Sequence, residues 1–282
     1  MKALFYPHRL QTCSLIYPIL RLLKIDITND IKEKSDIVFH WDFANKNEVS
    51  KEVLDLGLPI VNEKCLDIRK SYVEDLFSKI FGYSSLIDPK IFIGDAVIKS
   101  TCQATHDGKI VRCPIENPNT KIWYSKSNIQ HTYLYQRLIH NEVSEEEIKQ
   151  IGYVFKDENR VLLKEYRITY CFGEIPSILI RYKEPINRFH PHDLSKQKVI
   201  IKKEASEIFN EDEISKIIQF GKEFSFDFAD MDIVRDEDGK IYILDVNNIG
   251  TWYMMNGLLN KDEHLLYLSD KFKKGLLCYK NV

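Results

Sequence analysis

Apolar and polar positions alternate most sharply over residues 226–250, FDFADMDIVRDEDGKIYILDVNNIG. Two apolar runs, Met231-Asp232-Ile233-Val234 and Ile241-Tyr242-Ile243-Leu244, flank the turn residues Asp236, Glu237, Asp238 and Gly239. That pattern predicts a β-hairpin. Strand side chains alternate with period two, so Asp230 and Asp232 share one face of the first strand. Asp245 and Asn247 share one face of the second. Counting outward from the turn sets Asp232 within about two residues of the position opposite Asp245. An acid inside an apolar run is costly unless it is paired or holds a cation. Clustered oxygen donors suit Mg2+, which takes one or two carboxylates and completes its shell with water and phosphate. The alternative is a hairpin face of solvated acids.

The pattern along the rest of the chain predicts further elements. Residues 1–62 read as strand, helix, strand, short helix and strand, with strands at 3–6, 37–41 and 59–62. Such alternation argues for a parallel sheet. Leu15, Ile16, Ile19, Leu20, Leu22 and Leu23 form a helix face that needs Pro18 in its first turns. Residues 67–81 predict a helix capped by Asp67, striped by Val73, Leu76, Phe77 and Ile80, and stopped by Gly82. The 83–89 connector reads as a hinge or a plain loop. A strand at 94–100 carries Lys99, a turn follows at 105–109, and a return strand begins at 110. Residues 132–139 are an apolar, aromatic strand, and Ser144 with Glu147 has capping-box spacing. Two strands, 161–172 and 175–182, meet at Gly173. Arg167 interrupts the first of these and needs an anionic partner if buried. Lys202, Lys203, Glu204 and Glu207 read as a solvated stretch, and Asn210 with Glu213 opens a helix that closes near Phe224. Segments 252–259 and 264–277 read as a helical cover, with Trp252 to Met255 either core or lining of a substrate pocket.

Composition narrows the class. The 282 residues are 44% hydrophobic and 29% charged, as in an ordinary soluble globular protein. With 40 basic and 42 acidic residues the net charge is −2, which leaves no footprint for nucleic acid or an anionic membrane. The six cysteines show no CxxC spacing and read as free thiols of a reducing compartment. The N-terminal segment is too short in apolar residues, and too broken by Pro7, His8 and Arg9, to be a signal peptide. A cytoplasmic location is expected. His190-Pro191-His192-Asp193 matches no defined zinc spacing. No GxGxxG or P-loop is present.

Asp232-Ile233-Val234-Arg235, then Asp238-Gly239, then Leu244-Asp245-Val246-Asn247 resembles the metal-binding end of the ATP-grasp superfamily. The likeness runs roughly from Lys99 to Gly250 and points, distantly, to enzymes of the ribosomal-protein glutamate ligase type. Where family members continue into a proline–glycine turn, this chain has Asn248-Ile249-Gly250-Thr251. The resemblance implies a mixed α/β (α+β) ATP-grasp fold. Its expected parts are a small N-terminal α/β domain (1–66), a linker helix (67–89), a small subdomain (90–142) and a C-terminal subdomain (143–282), the last two sandwiching the nucleotide. It implies ATP and Mg2+ (or Mn2+) as cofactors, with Asp232, Asp245 and Asn247 as metal ligands. It places Lys99, the turn His106-Asp107-Gly108 and Lys183 near the ATP phosphates. Taken alone, Lys99 reads as a strand-end lysine reaching solvent, and His106 is as readily structural as a contact to phosphate or to the acceptor substrate. The turn stands where most relatives have a glycine-rich loop. Gln136, Arg137, Leu138 and Ile139 become the adenine-binding segment, which by physics alone is a buried strand. Arg167 and Arg188 become the active-site arginines.

The reaction so implied is attack of a carboxylate on the γ-phosphate of ATP, then of an amine on the resulting acyl phosphate, releasing ADP and phosphate. Substrates would be small-molecule, peptide or sugar-linked acids and amines, and a homodimer is compatible. Two other readings stay open: a kinase with the same nucleotide site, and a nucleotide-binding protein without turnover. No residue is assigned as the base.

Overall fold

A computed structural model describes residues 1–42, 45–46, 48–102, 105–124, 130–155, 158, 160–189, 196–248 and 261–279. The histidine pair of 190–193 and the aromatic segment at 252–259 lie outside these residues. The chain begins with β1 (Lys2–Pro7), α1 (Ile16–Leu22), β2 (Asp26–Thr28), β3 (Ile37–Trp41), α2 (Lys51–Leu54) and β4 (Ile60–Val61). The four strands form a parallel sheet in the order β2-β1-β3-β4. All five residues of β3 are buried, as expected for a strand covered on both faces. β2 has only three residues, too few to leave a period-two pattern. Pro18 sits in the first turn of α1, where its missing N–H has no partner to lose.

The helix predicted at 67–81 is α3 (Lys70–Phe81), and Asp67 does not cap it. The Asp67 carboxylate instead takes the Arg69 guanidinium at 2.9 and 2.6 Å, so the helix starts after Arg69 without a side-chain cap. Gly82 ends it at φ 78°, a left-handed conformation that glycine enters freely.

Next come β5 (Gly94–Ser100), β6 (Lys109–Cys113), the short pair β7 (Trp123–Tyr124) and β8 (Gln130–His131), and β9 (Tyr133–Arg137). β5 lies between β6 and β9 in an antiparallel three-stranded sheet. The third unit holds α4 (Glu145–Ile151), β10 (Leu163–Cys171), β11 (Glu174–Lys183), β12 (Gln197–Lys202), α5 (Glu211–Glu223), β13 (Phe228–Arg235) and β14 (Ile241–Asn247). Its antiparallel sheet runs β12-β11-β10-β13-β14. α5 carries the full Asn210–Glu213 capping box. At α4 only half a box forms, because the Glu147 side chain turns to Lys164 and Tyr182.

One face of the five-stranded sheet, with Met231, Ile233 and Val246, packs on Phe77 of α3 and on Ile217 and Phe220 of α5 in the largest core. The helix α6 (Lys261–Tyr279) packs on the N-terminal sheet, its Phe272 centred 6.3 Å from Phe39 and 5.5 Å from Phe228. Asn62 ties the same unit to the start of β13: its Oδ1 accepts from the amides of Asp227 (2.8 Å) and Phe228 (3.1 Å). The cysteines Cys13, Cys65, Cys102, Cys113 and Cys171 are free thiols. Among the described residues no helix is long and apolar enough to cross a membrane.

Candidate active site

The three-stranded sheet faces the other side of the five-stranded sheet across a cleft of about 390 Å3, within the size of ordinary ligand sites. The cleft gathers every residue to which the resemblance gives a role, from Lys99 on β5 to Asn247 on β14; Asp230 does not line it. Seven of its lining residues are Lys or Arg and four are Asp or Glu, so its field favours a polyanion.

The hairpin register sets the centre. Asp232 lies directly opposite Asp245, and Asp230 opposite Asn247. A register shift follows Asp232, making Leu244 an extra residue of the second strand. Lys99 Nζ reaches across to the Leu244 carbonyl at 3.4 Å. On the neighbouring strand β10, Arg167 is paired in register with Asp232. Its Nε and Nη2 donate to the two carboxylate oxygens of Asp232 at 2.7 and 2.6 Å, and Arg181 Nη2 donates to Oδ1 at 2.9 Å. Arg181 also pairs with Glu165, and Glu165 with Lys183. Charges therefore alternate along the sheet from Lys183 through Glu165, Arg181 and Asp232 to Arg167. Burial opposes charge on Asp232, but Arg167 and Arg181 outweigh it and hold the carboxyl well below the ordinary range. Burial and the cations act on Glu165 in the same way. Asp230 has no such partner strength: burial pushes it up to about 6, despite a 3.0 Å hydrogen bond from Thr169 Oγ1.

Asp232 thus meets the need for an anion beside Arg167. As a cation ligand it keeps limited capacity, because a carboxylate offers about four lone-pair sites and three take guanidinium donors. Asp245 and Asn247 line the cleft beside it, and the three together give the all-oxygen donor set that suits Mg2+. Among the described residues no three of His, Cys, Asp and Glu gather into a metal cluster of their own.

Lys99 is half-buried in the cleft wall, and desolvation and then Lys70 bring it down to about 8, against the pull of Asp245, Glu74 and Asp107. Lys70 lines the same cleft from the first turn of α3, and its ammonium meets the Cys102 carbonyl. It escaped the sequence reading. A lysine in the first helical turn opposes the helix dipole, a sign that it serves something outside the helix. Arg181 and Glu165 were also missed, although both interrupt apolar strands by the rule that marks Arg167.

The 105–108 turn holds itself by the Asp107 carboxylate, which accepts from Ser100 N (3.2 Å) and Thr105 Oγ1 (2.9 Å). It meets the opposite wall at Phe189. His106 Nδ1 lies 3.1 Å from the Phe189 carbonyl, and a Cβ on Gly108 would stand 2.5 Å from the Phe189 ring. Glycine is thus required for the approach. Arg188 donates to the Ile139 carbonyl (3.4 Å) and to Asn141 (3.3 Å) and Glu142 (3.1 Å), and burial lowers its affinity for its proton. At the far end Val97, Leu138, Ile139, Leu163, Val234 and Leu244 form an apolar slot. Two side chains of the expected adenine segment donate their N–H groups to protein partners while lining the cleft. Arg137 turns to Asp236 and Tyr242, and the Gln136 amide to Glu74 and Ser85.

Two solved structures match this arrangement over nearly the whole chain. A D-alanine–D-alanine ligase from Bacillus anthracis superposes with a TM-score of 0.58 at 13% identity, over 99% of this chain and 98% of that one. The ATP-grasp ligase PsnB, complexed with a phosphomimetic variant of its minimal precursor, Mg and ADP, superposes with a TM-score of 0.57 at 11% identity, over 97% of each chain. The chain has the ATP-grasp fold. Neither a protein-family model nor a curated protein matches the sequence, so the likeness is one of architecture. The cleft between the three- and five-stranded sheets is lined by the residues to which the resemblance gives nucleotide and metal roles.

Proposed function

We propose that the chain is an ATP- and Mg2+-dependent, ADP-forming ligase that joins a carboxylate to an amine. The observation that carries this reading is the opposed pair Asp232 and Asp245, with Asn247, at the centre of a basic cleft. The apolar slot at Val97, Ile139 and Leu244 takes the base. Lys99, Lys70 and the 105–108 turn take the phosphates, as compact point charges and a short loop suit them. Asp232, Asp245 and Asn247 hold Mg2+, which when bound neutralises charge on the phosphate oxygens.

Arg167, Arg181, Lys183 and Arg188 form the remaining positive wall. They orient the acid substrate and offset the charge that spreads over the transferring phosphoryl group. The acid's oxygen attacks the γ-phosphorus, the bond to the β-phosphate oxygen breaks, and ADP leaves. The amine nitrogen then attacks the acyl carbon, phosphate departs with the bonding pair, and the nitrogen loses its proton to give an amide. No protein nucleophile is needed. The two similar structures come from a ligase of D-alanine and a ligase bound to a precursor, so small acids and peptides are the classes to test first.

The purified chain is incubated with Mg·ATP, panels of amino acids, peptides and sugar acids, and hydroxylamine as a surrogate amine. A ligase yields ADP, free phosphate and a hydroxamate of one acid. Phosphate retained on an acceptor hydroxyl identifies a kinase instead. Nucleotide binding with no turnover on any acceptor favours a non-catalytic role.

A further inference from the structure

Glu74 on α3 is 2% exposed and accepts four hydrogen bonds. Ser84 Oγ and Ser85 N donate to one oxygen at 2.8 Å each. Ser85 Oγ (2.8 Å) and Gln136 Nε2 (2.9 Å) donate to the other. Gln136 Nε2 also donates to Ser85 Oγ at 2.7 Å. A carboxylate only accepts, and the single Ser85 hydroxyl proton is directed at Glu74. Both amide protons of Gln136 are therefore used inside this network, and bonding logic fixes which end of the amide is nitrogen. Anything else the side chain offers is its carbonyl oxygen. Gln136 is in register with Val97, and both line the cleft at the apolar slot.

We propose that Glu74, by locking the Gln136 carboxamide with its oxygen as the only group left to offer, makes the cleft selective for a base that carries an exocyclic amine. The adenine 6-amino group donates to such an oxygen, whereas the 6-oxo group of guanine meets it acceptor to acceptor. Gln136 touches the base, and Glu74 acts through it as a positioning residue. This inference rests on the nucleotide-binding reading above.

The test is titration calorimetry of the purified chain with Mg·ATP and with Mg·GTP. The wild type prefers ATP by about tenfold or more, the size of one buried hydrogen bond made or lost. In E74Q the new amide donates to Gln136, the Gln136 amide flips, and the ATP/GTP ratio falls about tenfold or inverts. S85A leaves Glu74 to fix the amide and keeps the preference. Should E74Q not fold, Q136M reads the same property: its ratio falls towards one. A merely structural Glu74 would weaken both nucleotides equally in E74Q, and that result overturns the proposal, as does a wild type that binds both nucleotides alike. A wild type that binds neither overturns the nucleotide reading itself, and this inference with it.

Discussion

Replacing Asp232 by Asn is the sharpest perturbation of the charge array in the cleft. The carboxylate takes three charge-assisted bonds, two from Arg167 (2.7 and 2.6 Å) and one from Arg181 (2.9 Å). Asparagine keeps one acceptor oxygen and turns an N–H towards a guanidinium. Two buried cations lose a shared anion, and breaking a buried pair from one side costs about 3–5 kcal/mol. That is a large share of a total stability of roughly 5–15 kcal/mol. Urea unfolding at pH 7 measures it. Because the unpaired Arg167 dominates the loss, adding Arg167→Met to Asp232→Asn costs little more or restores stability, whereas Arg167→Met alone, which leaves Asp232 with Arg181, costs about 2 kcal/mol. The folded carboxyl has its proton affinity depressed relative to the unfolded chain. Its stabilisation is therefore complete above the ordinary carboxylate range, about pH 4, and is lost only as the pH falls through and below that range. Wild type and variant converge in acid. A loss below about 1 kcal/mol at pH 7, or single losses that simply add in the double variant, would refute the ion-pair account.

Three further outcomes follow from individual residues. His264 is buried against Ser177, 2.7 Å from its Oγ, and burial brings its imidazole down to about 4. The unfolded chain binds the extra proton between about pH 4 and 6.5, so stability rises across that window by up to about 3 kcal/mol. His264→Gln removes that rise in urea melts taken at pH 4.5 and 7. Gly108→Ala drives a methyl into the Phe189 ring, which a Cβ would approach to 2.5 Å, so the turn moves off the opposite wall and Mg·ATP affinity falls at least tenfold in calorimetry with little change in melting temperature. Asn210→Ala removes the α5 capping box and lowers urea stability by about 1 kcal/mol without touching nucleotide affinity.

Much of this arrangement was legible in the chain because it is local. Period-two counting around one turn sets Asp232 within about two residues of Asp245, the register shift at Leu244 brings the two directly opposite, and the α5 box follows from residues three apart. The strand bearing Lys99 is β5, with the expected bounds Gly94–Ser100. What escaped depends on length or on distance. β2 is too short to show a period, and β12 (Gln197–Lys202), half-buried throughout at a sheet edge, is not among the expected strands; only its last residue, Lys202, falls in the stretch read as solvated. Asp67 looked like a helix cap, but Arg69 two residues on competes for it with a full guanidinium. The partner of Arg167 lies 65 residues away and that of Gln136 lies 62 away, separations that no local pattern reports. Arg167 interrupts an apolar strand and so calls for an anion, but that this anion is Asp232, an expected metal ligand, leaves no trace in the local pattern.

The central claim, that Asp232, Asp245 and Asn247 present a divalent cation to a triphosphate, is tested most directly by the ATP affinity of the purified chain with Mg2+ and with a chelator. The wild type should bind ATP at least tenfold more tightly with Mg2+ than without it. Asp245→Ala and Asn247→Ala should remain folded and lose that dependence. ATP affinity that is the same with and without Mg2+, or a Mg2+ dependence left intact in either variant, would contradict it.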